Sequence, residues 1–184
     1  RGESMSIVSD PVMYVMYAIL KKENLKNVED LFGHGVYIAN LNSDRQVVIC
    51  GFKEKLLQFK EKNPIGKYIQ LNVSAPFHSE LMMESANLFK EKIRDTSFNK
   101  INIDLFSNHK LINYKNITEK DYSNQLSHQI HFPVMWSDTI KTLLNQDTQT
   151  FIEIGPKKTL LNFLPRDFQG NKYSFCNIED IINV

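Results

Sequence analysis

His78 lies in SAPFHSELM (74–82), between a Pro-Phe pair and a serine able to open a helix. Imidazole is the side chain whose ordinary pKa falls nearest neutrality. Ahead of a helix's first turn, backbone N–H groups are unpaired and partial positive charge collects. A ring held there stays neutral and can accept a proton, which is the requirement for general-base chemistry. An exposed loop histidine is the alternative reading. His128 and His131 have no partner visible in the sequence and read as surface residues. Cys50 and Cys176 are far apart, lack histidines at zinc-like spacing, and read as small core residues of two strands in a reduced protein.

The elements that must position His78 fall into two patterns. Residues 12–20 (VMYVMYAIL) predict a strand, and 23–32 a helix with Leu25, Val28, Leu31 and Phe32 at helical spacing before Gly33. Residues 35–41 and 46–51 predict a hairpin around Asn42-Ser43-Asp44-Arg45. A helix follows over 52–63, with Phe52, Leu56 and Phe59 on one stripe, ended by Asn63-Pro64. The strand predicted at 67–73 puts Ile69, Leu71 and Val73 on one face. This is the split βαβ, ferredoxin-like order βαββαβ.

From residue 79 the pattern becomes helix and strand alternation of the α/β kind. Ser79 is placed to cap a helix through about residue 94, and 101–107 reads as a strand. Thr118 and Asp121 open a helix to about His131, before Pro133, and Ser137 is placed to cap another through Leu144. Strands at 150–155 and 172–176, a short helix at 158–164 and a last helical turn complete the series. Three separated strands make a poor sheet, since parallel sheets need cover on both faces.

Lys+Arg number 22 against Asp+Glu 21, a net charge of +1. That gives no electrostatic footprint for nucleic acid or an anionic membrane. No apolar run reaches the roughly 18 residues of a membrane span, and no signal-peptide pattern opens the sequence. The expected location is the cytoplasm, or the stroma or matrix of an organelle.

Three blocks, SAPFHSELM, QIHFPVMW (129–136) and FIEIGPKKTLLNFL (151–164), together with ANLNSDRQVVICG (39–51) and RGESM (1–5), carry a resemblance. In order and spacing they are similar to malonyl-CoA:acyl carrier protein transacylases and to the acyltransferase domains of polyketide and fatty acid synthases. The resemblance implies a ferredoxin-like subdomain (12–73) inserted into an α/β-hydrolase-like domain, of which 1–11 and 74–184 are the arginine segment and the C-terminal part. It implies serine-based acyl transfer from malonyl-CoA to acyl carrier protein in fatty acid biosynthesis, with no cofactor and no metal. His78 matches the catalytic base, and Gln129 the residue whose main-chain carbonyl orients it. Arg1 matches the arginine that grips the malonyl carboxylate, and Phe77 the bulky residue of malonyl-selecting members. Asn40 and Asn42 match hairpin positions facing the cleft. Pro133 and Trp136 read as structural, with Trp136 in the core, and Glu153 as a partner for nearby backbone.

The sequence departs from that pattern in two loops, with Asp44-Arg45 where Pro-Gly is usual and Lys157 where Gly often follows Gly-Pro. The larger departure is the nucleophile. Glycine occurs only at 2, 33, 35, 51, 66, 155 and 170, so the 184 residues contain no Gly-His-Ser-x-Gly elbow. The leading expectation is the second half of such an enzyme, supplying base and clamp and completed by an N-terminal half. A non-catalytic remnant or carrier-protein docking module is the alternative. An acyl hydrolase is disfavoured by Arg1, because a site for plain acyl chains gains nothing from a buried cation. An RNA-binding ferredoxin-like module is disfavoured because no basic, aromatic-bearing strand pair is visible.

Overall fold

The computed structural model describes residues 1–21, 33, 35–177 and 179–180. The helix expected over 23–32 lies outside them, as does the end of the last helical turn. The chain divides into two compact units, Arg1–Trp136 and Ser137–Val184.

The first unit contains helix α1 (Gly2–Ser6), strands β1 (Tyr14–Lys21), β2 (Val36–Ser43) and β3 (Gln46–Phe52), helix α2 (Lys53–Lys62) and strand β4 (Gly66–Gln70). Helices α3 (Met83–Lys92) and α4 (Glu119–His131) follow. The four strands form one sheet in the order β2-β3-β1-β4, with every neighbouring pair antiparallel. That is the ferredoxin-like arrangement expected from the strand order, and the molecule is a mixed α/β fold.

Alternation along β1 explains how the sheet is covered on both faces. Val15, Tyr17 and Ile19 join Val47, Ile49, Leu56 and Phe59 in one core, beneath α2. Met16 and Ala18 point the other way and pack with Ala39, Val48 and Cys50, against which Leu71, Val73 and Phe77 lie. A third cluster, Ala75, Met82, Ala86 and Ile130, joins the loop after β4 to α3 and α4. Gly51 is required where β3 passes β2: at φ +152° an added Cβ would collide with the Gly35 carbonyl.

Several local expectations are corrected. Phe52 precedes α2, is exposed and meets Tyr14 rather than joining the buried stripe. β4 ends at Gln70 and Ile69 is exposed, while Leu71 and Val73 lie beyond the strand against the cluster of Ala18, the residue that Ile69 pairs with. Ser79 does not cap a helix, since its buried hydroxyl donates to Pro76 O at 2.6 Å. Residues 101–107 form no strand: Ser107 N–H and Tyr114 N–H donate to Ile112 O and Leu105 O, closing a turn instead of a ladder.

The second unit holds most of α5 (Trp136–Asn145) and two parallel strands, β5 (Thr150–Ile154) and β6 (Asn171–Phe175). Ser137 falls inside α5, so it is not the cap. Trp136 is half-buried rather than a core residue. Cys176 lies exposed beyond β6, while Cys50 is buried in β3 as expected. Among the described residues no helix is long and apolar enough to cross a membrane.

Candidate active site

The site is assembled where the loop after β4 meets the end of α4. Buried Ala75 and Pro76 anchor that loop, and the carbonyls of Pro76 and Phe77 lie 3.7 and 3.6 Å from Cys50 Sγ. Burial pushes the Cys50 thiol up to about 12, so it stays a protonated packing group. Phe77 bridges the second and third clusters. His78 then adopts φ +62°, a left-handed conformation uncommon for any residue with a Cβ.

The last four carbonyls of an α-helix have no intrahelical donor. At the end of α4, His78 satisfies two of them. Its N–H donates to Ile130 O at 3.2 Å, and its Nδ1 lies 3.0 Å from Gln129 O. A carbonyl can only accept, so Nδ1 carries the proton and the lone pair of the neutral ring lies on Nε2. Arg1 Nη2 donates to the same Gln129 oxygen at 3.4 Å. One main-chain carbonyl therefore holds both the imidazole and the guanidinium.

Burial lowers the His78 pKa first and the nearby Arg1 charge second, while the Gln129 and Phe132 backbone oppose both. Burial also lowers the pKa of Arg1, with Tyr114 opposing. Arg1 itself stays charged.

His78 opens on a cleft of about 480 Å³ whose walls include Val36, Tyr37, Ile38, Phe132 and Pro133. The segment after α4 is pinned to β2, with Leu41 N–H donating to Val134 O and Val134 N–H to Ala39 O, both at 2.8 Å. Asn40 bridges to Val134 through its backbone, and Asn42 is buried with its amide donating to Gln46 Oε1 at 2.7 Å. The structure thus brings together His78, Gln129 and Arg1, places Phe77 behind them, and engages Asn42 within its own hairpin. Among the described residues no group of histidines, cysteines and carboxylates could hold a metal ion.

Two features went unread in the sequence. Tyr114, buried in an irregular segment without periodicity, accepts a hydrogen bond from Gln129 Nε2 at 3.0 Å. His131 is buried rather than exposed, its ring 4.5 Å from Phe132 and 5.6 Å from His128. His109 completes a histidine cluster, 5.7 Å from His128, and its Nδ1 lies 2.6 Å from Ser107 Oγ. Burial, followed by the charges of His128, Lys110 and His131, pushes His109 down to about 4.

The chain is 36% identical over 169 residues to the malonyl CoA-acyl carrier protein transacylase of Bacillus subtilis, covering 87% of the chain and 52% of that relative. It is 30% identical over 170 residues to a polyketide biosynthesis malonyl CoA-acyl carrier protein transacylase of Bacillus velezensis, covering 90% and 58%. The chain is homologous to malonyl CoA-acyl carrier protein transacylases. It spans a little over half the length of these relatives. No family model matches it. Two solved transacylase structures of that name share the fold. The one from Coxiella burnetii has TM-score 0.87 at 26% identity, covering 99% of this chain and 60% of that one. The one from Clostridium perfringens has TM-score 0.84 at 27% identity, covering 99% and 59%.

Proposed function

We propose that this chain is the base-and-clamp part of a malonyl-CoA:acyl carrier protein transacylase of fatty acid biosynthesis. The observation that carries the reading is the shared Gln129 carbonyl, with His78 Nδ1 and Arg1 Nη2 both directed at it. Arg1 and residues 74–184 would belong to one acyltransferase domain into which 12–73 is inserted, and the nucleophilic serine would come from an N-terminal half. Exposed Ile152, Ile154 and Tyr173 on the two parallel strands support a larger domain, because such sheets are ordinarily covered on both faces.

In this mechanism the serine oxygen attacks the malonyl thioester carbonyl and His78 Nε2 takes its proton. The tetrahedral intermediate collapses, the C–S bond breaks, and the departing CoA thiolate receives that proton. The carrier protein's phosphopantetheine thiol then attacks the malonyl-serine ester, giving its proton to His78, which returns it to the serine. No cofactor is consumed. The Arg1 guanidinium binds both oxygens of the malonyl carboxylate, and Phe77 limits the space beside its α-carbon. Asn40 and Asn42 shape the β2–β3 side of the cleft. A malonyl-transacylase solved in complex with its type II polyketide acyl carrier protein shares this fold at 23% identity and TM-score 0.85, which is in keeping with a carrier-protein partner. The expected compartment is the cytoplasm or the stroma or matrix of an organelle.

A second reading is a carrier-protein docking module without chemistry. Transfer of labelled malonyl from malonyl-CoA to carrier protein separates the two. The full-length protein is expected to be active and the 184 residues alone inactive, because losing a nucleophile removes many orders of magnitude. A covalent malonyl adduct on this chain alone overturns the assignment of roles. An inactive full-length protein favours the docking module.

A further inference from the structure

Tyr114 stands outside the mechanism above, yet it is built into it. It opens a single 3-10 turn (Tyr114–Asn116) and is 4% exposed. Its N–H donates to Leu105 O at 2.8 Å, and its carbonyl accepts from Tyr122 Oη at 3.1 Å. The two tyrosine rings meet edge to face, 5.4 Å between centroids. Its own hydroxyl oxygen accepts from Gln129 Nε2 at 3.0 Å. A hydrogen-bonded series thus runs Tyr122, Tyr114, Gln129.

The far end of that series matters because of where Gln129 lies. It is in the last turn of α4, where carbonyls lack intrahelical partners and the backbone is free to tilt. Its main-chain oxygen must meet His78 Nδ1 at 3.0 Å and Arg1 Nη2 at 3.4 Å together. Hydrogen bonds weaken steeply with angle, so a small rotation of this one peptide loosens both. The Gln129 side chain, tied to a phenol held by Leu105 and Tyr122, opposes that rotation.

We infer that Tyr114 is a positioning residue, which fixes the Gln129 side chain and thereby aims the one carbonyl that orients both His78 and Arg1. This rests on the reading of His78 as base and Arg1 as clamp. A purely main-chain role for Gln129 makes its side chain dispensable; here the side chain matters through Tyr114.

The experiment uses the full-length protein with 15N-labelled histidine, and the variants Tyr114→Phe and Gln129→Met, singly and together. In the wild type, His78 is expected as the Nδ1–H tautomer with slow solvent exchange of that proton. Each variant should let the Nε2–H tautomer appear and speed the exchange about tenfold. For malonyl transfer, kcat should fall about five- to tenfold and KM should rise, and the double variant should be no worse than either single. A merely structural tyrosine would lower Tm while leaving the His78 tautomer alone. An unchanged tautomer and exchange rate in folded Tyr114→Phe overturns the inference, as does additivity in the double variant. If Tyr114→Phe does not fold, Gln129→Met cuts the same bond with the ring in place and decides alone. A tautomer shift in a protein that transfers no malonyl keeps the positioning role and rejects the proposed function.

Discussion

Gln129 O lies 3.0 Å from His78 Nδ1 across 51 residues of chain, and His78 reaches it only by adopting φ +62°. The left-handed conformation is unfavourable by about 1–2 kcal/mol for a residue with a Cβ. The surrounding bonds to Gln129 and Ile130 hold it there.

Two substitutions separate strain from chemistry. His78→Ala and His78→Gly should both lower malonyl transfer by about 10²–10⁴, the range for losing a general base. Glycine tolerates φ +62° and alanine does not, so His78→Gly should be more stable by about 1 kcal/mol in urea denaturation. Equal stabilities would show that the conformation carries no strain.

The acid limb of kcat/KM reports the free base. Burial and Arg1 both lower the His78 pKa, so the midpoint should fall below 6.5. Arg1→Ala removes the second cause and should raise that midpoint. A midpoint that does not respond to Arg1 would separate the two groups electrostatically.

Selectivity tests the clamp. Arg1→Ala should cost malonyl-CoA about 2–5 kcal/mol of transition-state binding while leaving acetyl-CoA no worse. Phe77→Ser should admit methylmalonyl-CoA, but Phe77 packs on two apolar clusters, so a loss of about 2–3 kcal/mol of stability should accompany it. Comparing kcat/KM for the three thioesters, with Tm beside each, checks both statements.

Acid stability follows from His109. Its folded pKa of about 4 lies below the ordinary 6.5, so the unfolded chain binds more protons between those values. Stability is therefore full above 6.5 and is lost as the pH falls towards 4, by on the order of 2–3 kcal/mol. His128 and His131, also lowered chiefly by burial, act in the same direction. His109→Asn should flatten the fall in Tm across that window.

Glu153 makes a capping contact in the second unit. Its Oε1 accepts from Thr159 N–H and Leu160 N–H at 2.9 Å, and its Oε2 from Leu161 N–H at 3.0 Å. Burial opposes ionisation, yet these bonds hold the carboxyl below its usual 4.5. Glu153→Ala should cost about 2 kcal/mol at neutral pH, and the difference from wild type should shrink as the pH falls below 4.5. Urea titrations at pH 7 and pH 3.5 measure it.

The sequence by itself determined the four strands of the sheet and their order along the chain, because short apolar runs such as 12–20 and 46–51 mark strands locally. It also singled out His78, Gln129 and Arg1, through blocks whose order and spacing survive in one dimension. The tertiary structure alone decided that one carbonyl accepts from both a neutral imidazole and a guanidinium, that His78 is buried beside the Arg1 charge, and that Tyr114 stands behind Gln129. It likewise turned 101–107 from a strand into a turn, and buried His131. Hydrogen bonds between residues 15, 51 and 128 positions apart leave no periodicity in the chain. They exist only once packing has set the distance and removed the water.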